Sequence, residues 1–161
     1  MIDPSPIQTL FAYHWHTTRR LMAVAANLDE AAYTEKPEYG HGSIHDLLFH
    51  LLRTDYSWRL GLETGNQPAS LSRDDFPDLA ALQRGFEQEE QAWNDLLNRL
   101  SAEELAGTLV LTSRRGRTVP FQRWRILHHV VLHGMQHHTE LAQLLTAKGQ
   151  SPGDIDFIFF Q

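Results

Sequence analysis

Apolar positions along the chain fall into four long runs of helical period, separated by stretches in which that period is lost. The first run extends from Pro4 to Leu28, with Ile7, Leu10, Phe11, Leu21, Met22, Ala25 and Leu28 on one stripe and Pro6 tolerated in the first turn. A second run opens at Ser43 and continues to about Thr64; Ile44, Leu47, Leu48, Leu51 and Trp58 form its stripe. Ser43 followed by Asp46 resembles a capping box with Asp in place of the usual Glu. Leu79, Leu82, Phe86, Trp93, Leu96, Leu97 and Leu100 mark the third run. The fourth, from Trp124 to Gly149, carries Ile126, Val130, Leu141, Leu144 and Leu145, and Gly149 is its natural stop.

Asp29 to Gly42 and Gly65 to Asp78 contain proline and glycine without periodicity and read as loops. Ser101 to Leu105 reads as a short capped turn. Thr108 to Thr112 and Arg117 to Phe121 are β-prone runs around SRRG, a hairpin with Gly116 in the turn. No repeat or linker divides the chain. The expected fold is therefore all-α: one domain over residues 1–161, a four-helix bundle with a small β-hairpin before the last helix.

Polar residues set into the stripes carry the candidate chemistry. The fourth helix holds five of the ten histidines. His129, His133 and His137 stack within roughly 80° of one another on the face of Ile126 and Leu144, whereas His128 and His138 point away and are expected at the surface or a flank. His133 and His137, four residues apart, lie about 6 Å apart along the axis and can reach one metal ion. A buried hydrogen-bonded pair is the alternative, and a third ligand from another element would decide between them. In the second helix, His50 shares a strip of polar and small residues with Asp46, Thr54, Ser57 and Gly61. That strip borders a cavity or faces water; in the first case Asp46, one turn earlier, would accept the second ring proton of His50. His14 falls on the first stripe as a core histidine or as part of a pocket lining. His16 and the loop residue His41 are expected to be exposed. Glu89 and Glu90 interrupt the third stripe; at least one should lean toward the interior, although a solvated flank is the preferred reading.

Composition narrows the choices. No cysteine is present, which excludes thiolate zinc sites, disulfides and a cysteine nucleophile and leaves His, Asp and Glu as ligands. A net charge of −6 argues against a dedicated nucleic-acid binder, although five of the fourteen basic residues fall between Arg114 and Arg125. The start MIDPSPIQ has no basic region followed by an apolar run, and no stretch approaches the ~20 apolar residues that span a bilayer. A cytoplasmic protein without membrane partners is expected. The tail DIDFIFFQ should dock on the body or on a second subunit.

The residues Ser43-Ile44, Leu47-Leu48-x-His50-Leu51 through Trp58, then His129-Val130-x-x-His133-x-x-x-His137 and Leu144-Leu145-x-x-x-Gly149-x-x-Pro152 resemble the DinB-like, or YfiT-like, family of metal-dependent bacterial proteins. The resemblance covers almost the whole chain. It implies a four-helix bundle, usually a homodimer, with one divalent metal ion held by His50, His133 and His137. It also implies kinship with S-transferases that use bacillithiol, mycothiol or similar small thiols. At the last ligand the family often reads His-Arg-Gly-Gln, whereas this chain has His137-His138-Thr139-Glu140, so Glu140 enters as a fourth ligand or a proton acceptor.

Three imidazoles with an open position describe a catalytic site, and zinc or nickel suits them. The first expectation is a transferase that activates a low-molecular-weight thiol for conjugation to an electrophile, in stress or detoxification. Arg114, Arg115 and Arg117 would then bind the acidic groups of the thiol. Hydrolysis by water activated on the metal, with Glu140 or Asp46 as base or orienter, is the second. A non-enzymatic metal-binding dimer is the third. His129 is expected to line the cavity without ligating.

Overall fold

The computed structural model describes residues 5–38 and 40–161. Four long helices dominate it: α1 (Ser5–Ala25), α3 (Ile44–Thr64), α4 (Leu79–Arg99) and α6 (Arg123–Ala147). Pro4, the expected start of α1, lies outside the described residues. Two short helices, α2 (Glu30–Thr34) and α5 (Ala102–Ala106), occupy stretches read as loop and capped turn. The first was missed because five residues carry too little periodicity to register; Asp29, whose side chain accepts from Ala32 N, nucleates it.

The long helices pack as a ring, α1 against α6, α6 against α3, α3 against α4, and α4 against α1. They enclose one apolar core in which Phe11, Leu21, Leu47, Leu48, Leu51, Leu82, Trp93, Leu127 and Leu145 are fully buried. Each such side chain contributes on the order of 1.5–3 kcal/mol. Helix α6 buries two adjoining stripes, because it meets α1 on one side and α3 on the other. Glu89 is the exception to a purely apolar lining. It is buried, contrary to the solvated flank expected, because Arg59 on α3 grips both its oxygens at 2.8 Å.

The start of α3 is held by the capping box read from Ser43 and Asp46, each side chain accepting the other's backbone N–H at 3.1 Å. Strands β1 (Thr108–Thr112) and β2 (Thr118–Gln122) form an antiparallel hairpin in which Leu111 faces Val119 and Leu109 faces Phe121. Gly116 turns it at φ +75°, a left-handed conformation that side chains resist. Backbone bonds from Thr112 N to Gly65 O and from Gln67 N to Thr112 O, both 2.8 Å, tie the hairpin to the end of α3. This link places the hairpin beside the polar strip of α3. The tail docks on α1: Tyr13 donates to Ile155 O at 2.5 Å and packs edge-on against Phe157 and Phe160. Ile158 and Phe159 nonetheless stay exposed, at 81% and 66%. No helix among the described residues is long and apolar enough to cross a membrane.

Candidate metal centre

Packing of α3 on α6 brings His50 to His133 and His137. Their ring centroids stand 5.1 Å (His50 to His133), 4.7 Å (His50 to His137) and 4.5 Å (His133 to His137) apart. One ligand atom from each lies within 4.8 Å of the other two. Burial, reinforced by the neighbouring His137, pulls the pKa of His50 and of His133 down to about 4, so both rings are neutral at physiological pH. Neutral imidazole is the form that coordinates.

Hydrogen bonds fix the tautomers. His137 Nδ1 lies 3.1 Å from Glu140 Oε2; a carboxylate only accepts, so Nδ1 carries a proton and the lone pair of the neutral tautomer sits on Nε2. Glu140 is itself held by His41, whose backbone N–H and ring Nδ1 both donate at 3.0 Å. Burial pushes the Glu140 carboxyl up, but these bonds outweigh it and hold it below the usual range. His41, Glu140 and His137 thus make a carboxylate–histidine buttress of the kind that orients metal ligands. His41 is exposed, as expected, yet it belongs to the site. The three residues also converge closely enough to suggest a second ion, but their polar atoms already satisfy one another.

His50 is supported differently. The expected bond from Asp46 is absent: its carboxylate is taken by the Ser43 N–H and by Arg73 at 3.0 Å, because the helix cap needs it. Burial raises the Asp46 carboxyl less than those partners lower it. Instead, Arg53 Nη2 stands 3.3 Å from His50 Nδ1. A guanidinium only donates, so His50 Nε2 bears the proton and points it at His133 Nε2, 3.1 Å away. One proton therefore bridges two nitrogens where a cation would bind both, and the all-nitrogen donor set fits a borderline transition metal better than magnesium or calcium.

The other histidines separate clearly. His129 is exposed, 5.1 Å from the Trp58 ring and outside the converging set, and His128 is exposed. His138 overturns its expected surface position: it is buried, its Nε2 2.8 Å from Thr18 Oγ1, with its ring 5.0 Å from that of His14. Burial, then the neighbouring His14, holds its pKa well below the usual value. His14 is a core residue whose Nε2 pairs with the buried Asp55 at 3.0 Å. Gly134 makes room for it, since a Cβ there would fall 2.2 Å from His14 Nδ1.

Beside the cluster lies a cavity of about 740 Å³ between α3, residues 67–70 and the hairpin. Its walls do not include the three histidines; it reaches them through Arg53, which touches His50, and Trp58, which touches His129. Arg114 and Arg117 line it, as expected of a ligand site, but Arg115, at the tip of the turn, does not. Arg123 and Arg125 are also elsewhere, on Glu104 O and over the Trp124 ring. Arg53 was not singled out from the sequence, although its place three residues after His50 was the available signal.

Fold and cluster together define a helical bundle with a candidate metal centre between two of its helices. The model of the DinB family matches residues 1–161, and the chain belongs to that family. Two solved structures share the fold. YjoA, a DinB-like protein from Bacillus subtilis, matches with a TM-score of 0.64 and 15% identity over 88% of this chain and 93% of its own. YfiT from Bacillus subtilis, described as a probable metal-dependent hydrolase with an unusual four-helix bundle topology, matches with a TM-score of 0.71 and 11% identity over 94% of this chain and 92% of its own. No curated protein matches the chain.

Proposed function

We propose that this chain is a metal-dependent transferase that holds one divalent ion, zinc or nickel, on His50, His133 and His137 and joins a low-molecular-weight thiol to an electrophile. The observation that carries the reading is that three imidazole donors converge beside a cavity while both nearby carboxylates are committed elsewhere. Glu140 is saturated by His41 and His137, and each oxygen of Asp46 is engaged, one by Ser43 and one by Arg73. Attack by water needs a positioned base, and neither residue has an oxygen without a partner to serve as one. A thiol has less need of such a base, being much more acidic than water. The ion, when bound, supplies the Lewis acidity that lowers the thiol pKa further. The chain itself orients His137 through Glu140, walls the reacting groups with Trp58 and Phe121, and offers cationic charge from Arg114 and Arg117. The thiol sulfur bonds to the electrophilic carbon, the leaving group departs with its electron pair, and the thiol proton passes to solvent.

The fold shared with YfiT favours a second reading, metal-dependent hydrolysis. One comparison separates the two: rates of conjugation of 1-chloro-2,4-dinitrobenzene with several small thiols, and of ester cleavage, each with metal-loaded and metal-stripped protein. Metal-dependent conjugation supports the transferase. Equal conjugation rates in both forms, with ester cleavage that requires metal, establish the hydrolase instead. We extend the proposal to a cytoplasmic homodimer acting in detoxification or stress, the exposed Ile158 and Phe159 supporting a partner at the tail.

A further inference from the structure

The cavity beside the cluster has a charge pattern that the metal does not explain. Arg53, Arg114 and Arg117 all line it, and none of their guanidinium groups meets a carboxylate among the described residues. Arg19, Arg59, Arg73 and Arg99 each have such a partner. Arg20, Arg84, Arg115, Arg123 and Arg125 also lack one, but only Arg53, Arg114 and Arg117 share a cavity, and three cations gathered there without a counter-charge favour an anionic ligand. Trp58, Leu111, Val119 and Phe121 give the same cavity an apolar side, where the Trp58 and Phe121 rings meet edge to face at 6.3 Å. The volume, about 740 Å³, suits a small molecule rather than a polymer.

The cavity is also long. It follows α3 from Arg53 to Gly61, where the hairpin packs on the helix: a Cβ on Gly61 would stand 3.3 Å from Leu111 Cδ2. Arg53 and Gly61 are eight residues of helix apart, about 12 Å at 1.5 Å per residue. Arg53 lies at the histidine end, and Arg114 and Arg117 enter from the hairpin turn, which is tied to the far end of α3 through Thr112 on Gly65 and Arg114 on Gln67.

We infer that this cavity binds an elongated organic acid, with its carboxylate or phosphate on Arg114 and Arg117 at the hairpin end and its apolar body along α3 over Trp58 toward His50. Arg53 is the link to the histidines. With its proton on Nδ1 instead, the tautomer that would leave Nε2 free for an ion, His50 would stop accepting from Arg53 and leave that guanidinium for the ligand. As a binding site the cavity is independent of the metal; as the seat of the substrate's remote end it rests on the transferase reading above.

Calorimetric titration with 5-phenylpentanoate, 5-phenylpentyl phosphate and the neutral 5-phenylpentanol tests the site, in wild-type protein and in His133→Ala. The acids should bind about tenfold or more tightly than the alcohol in both proteins, the scale of a charge-assisted hydrogen bond. Whichever acid binds more tightly identifies the head group, carboxylate or phosphate. Replacing Arg114 and Arg117 together by alanine should erase the advantage of the acids, while Arg115→Ala, in the same turn but off the cavity, should keep it. Equal binding of acid and alcohol overturns the inference, as does an Arg115→Ala loss as large as that of the double variant. Acid binding that survives in His133→Ala, in a protein whose conjugation does not depend on metal, would retire the transferase reading and leave the cavity assignment standing.

Discussion

Two histidine clusters lie side by side in this bundle, and they use the same side chain in opposite ways. In the sealed cluster, His14, Asp55 and His138 are at most 1% exposed. There a carboxylate takes His14 Nε2, the outer nitrogen, and a hydroxyl takes that of His138. In the open cluster the carboxylate of Glu140 takes His137 Nδ1, the nitrogen nearer the backbone, and leaves Nε2 bare. Two further Nε2 atoms stand 3.1 Å apart beside it, next to a cavity. Which ring nitrogen the carboxylate occupies therefore decides whether a histidine cements the core or presents a lone pair. Burial alone does not, since His137 is only 3% exposed.

Breaking the sealed cluster should have the largest effect on folding. His14→Ala strips Asp55 of its partner at a fully buried position and should cost about 3 kcal/mol or more. Urea denaturation measures this, and metal stoichiometry should be retained at a temperature where the variant is folded. Loss of metal from folded His14→Ala would mean that the two clusters are one.

The open cluster should respond in affinity instead. Glu140→Gln can still accept from His137 but loses its charge, and the metal Kd should rise on the order of tenfold to a hundredfold with little change in stability. A chelator competition titration reads the shift. Unchanged affinity would deny the buttress its orienting role.

Protons sharpen the same contrast. His50 and His133 have native pKa values of about 4, below the ordinary 6.5 of the unfolded chain, so the unfolded chain binds more protons between these values. Their contribution to stability is complete above pH 6.5 and is lost as pH falls toward about 4. His138, also depressed, adds to the slope in the same direction. Metal-free wild-type protein should therefore lose melting temperature across that window more steeply than a His50→Ala, His133→Ala double variant. Parallel curves would show that the rings are not held neutral.

A smaller effect is expected at the tail. Removing Phe157 to Gln161 deletes the ring contacts with Tyr13 and should lower stability by about 1 kcal/mol. If Ile158 and Phe159 also join two copies, the same deletion should reduce the mass in solution. An unchanged melting curve and unchanged mass would count against both.

Local features of this molecule could be read from its residues, and features made by contact between distant elements could not. The capping box of Ser43 and Asp46, the turn at Gly116 and the convergence of His133 with His137 depend on neighbours within a few positions, and each was visible as spacing. His50 as their companion came from family resemblance, because no periodicity joins residues 83 positions apart. His138 was misplaced because a helical wheel with one buried stripe cannot anticipate a helix wedged between α1 and α3. Glu89 was misplaced for a related reason: the charge that allows its burial comes from Arg59 on another helix. Asp46 was drawn toward His50 by the wheel, while the stronger demand of the exposed N–H groups at the helix start had already claimed it. The cavity is assembled from α3, a loop and the hairpin, so its arginines could be seen as a cluster but not sorted into those that face it.

The proposed metal centre holds one ion on His50, His133 and His137, with none of their neighbours as a ligand. Its most direct test is elemental analysis of untagged protein, wild type beside single alanine variants at these three positions and at His16, His41 and His128. One zinc or nickel per chain is expected in the wild type, none with His50→Ala, His133→Ala or His137→Ala, full content with His16→Ala and His128→Ala, and weakened but not abolished binding with His41→Ala, which loosens Glu140. Full metal content in folded His50→Ala would contradict this assignment.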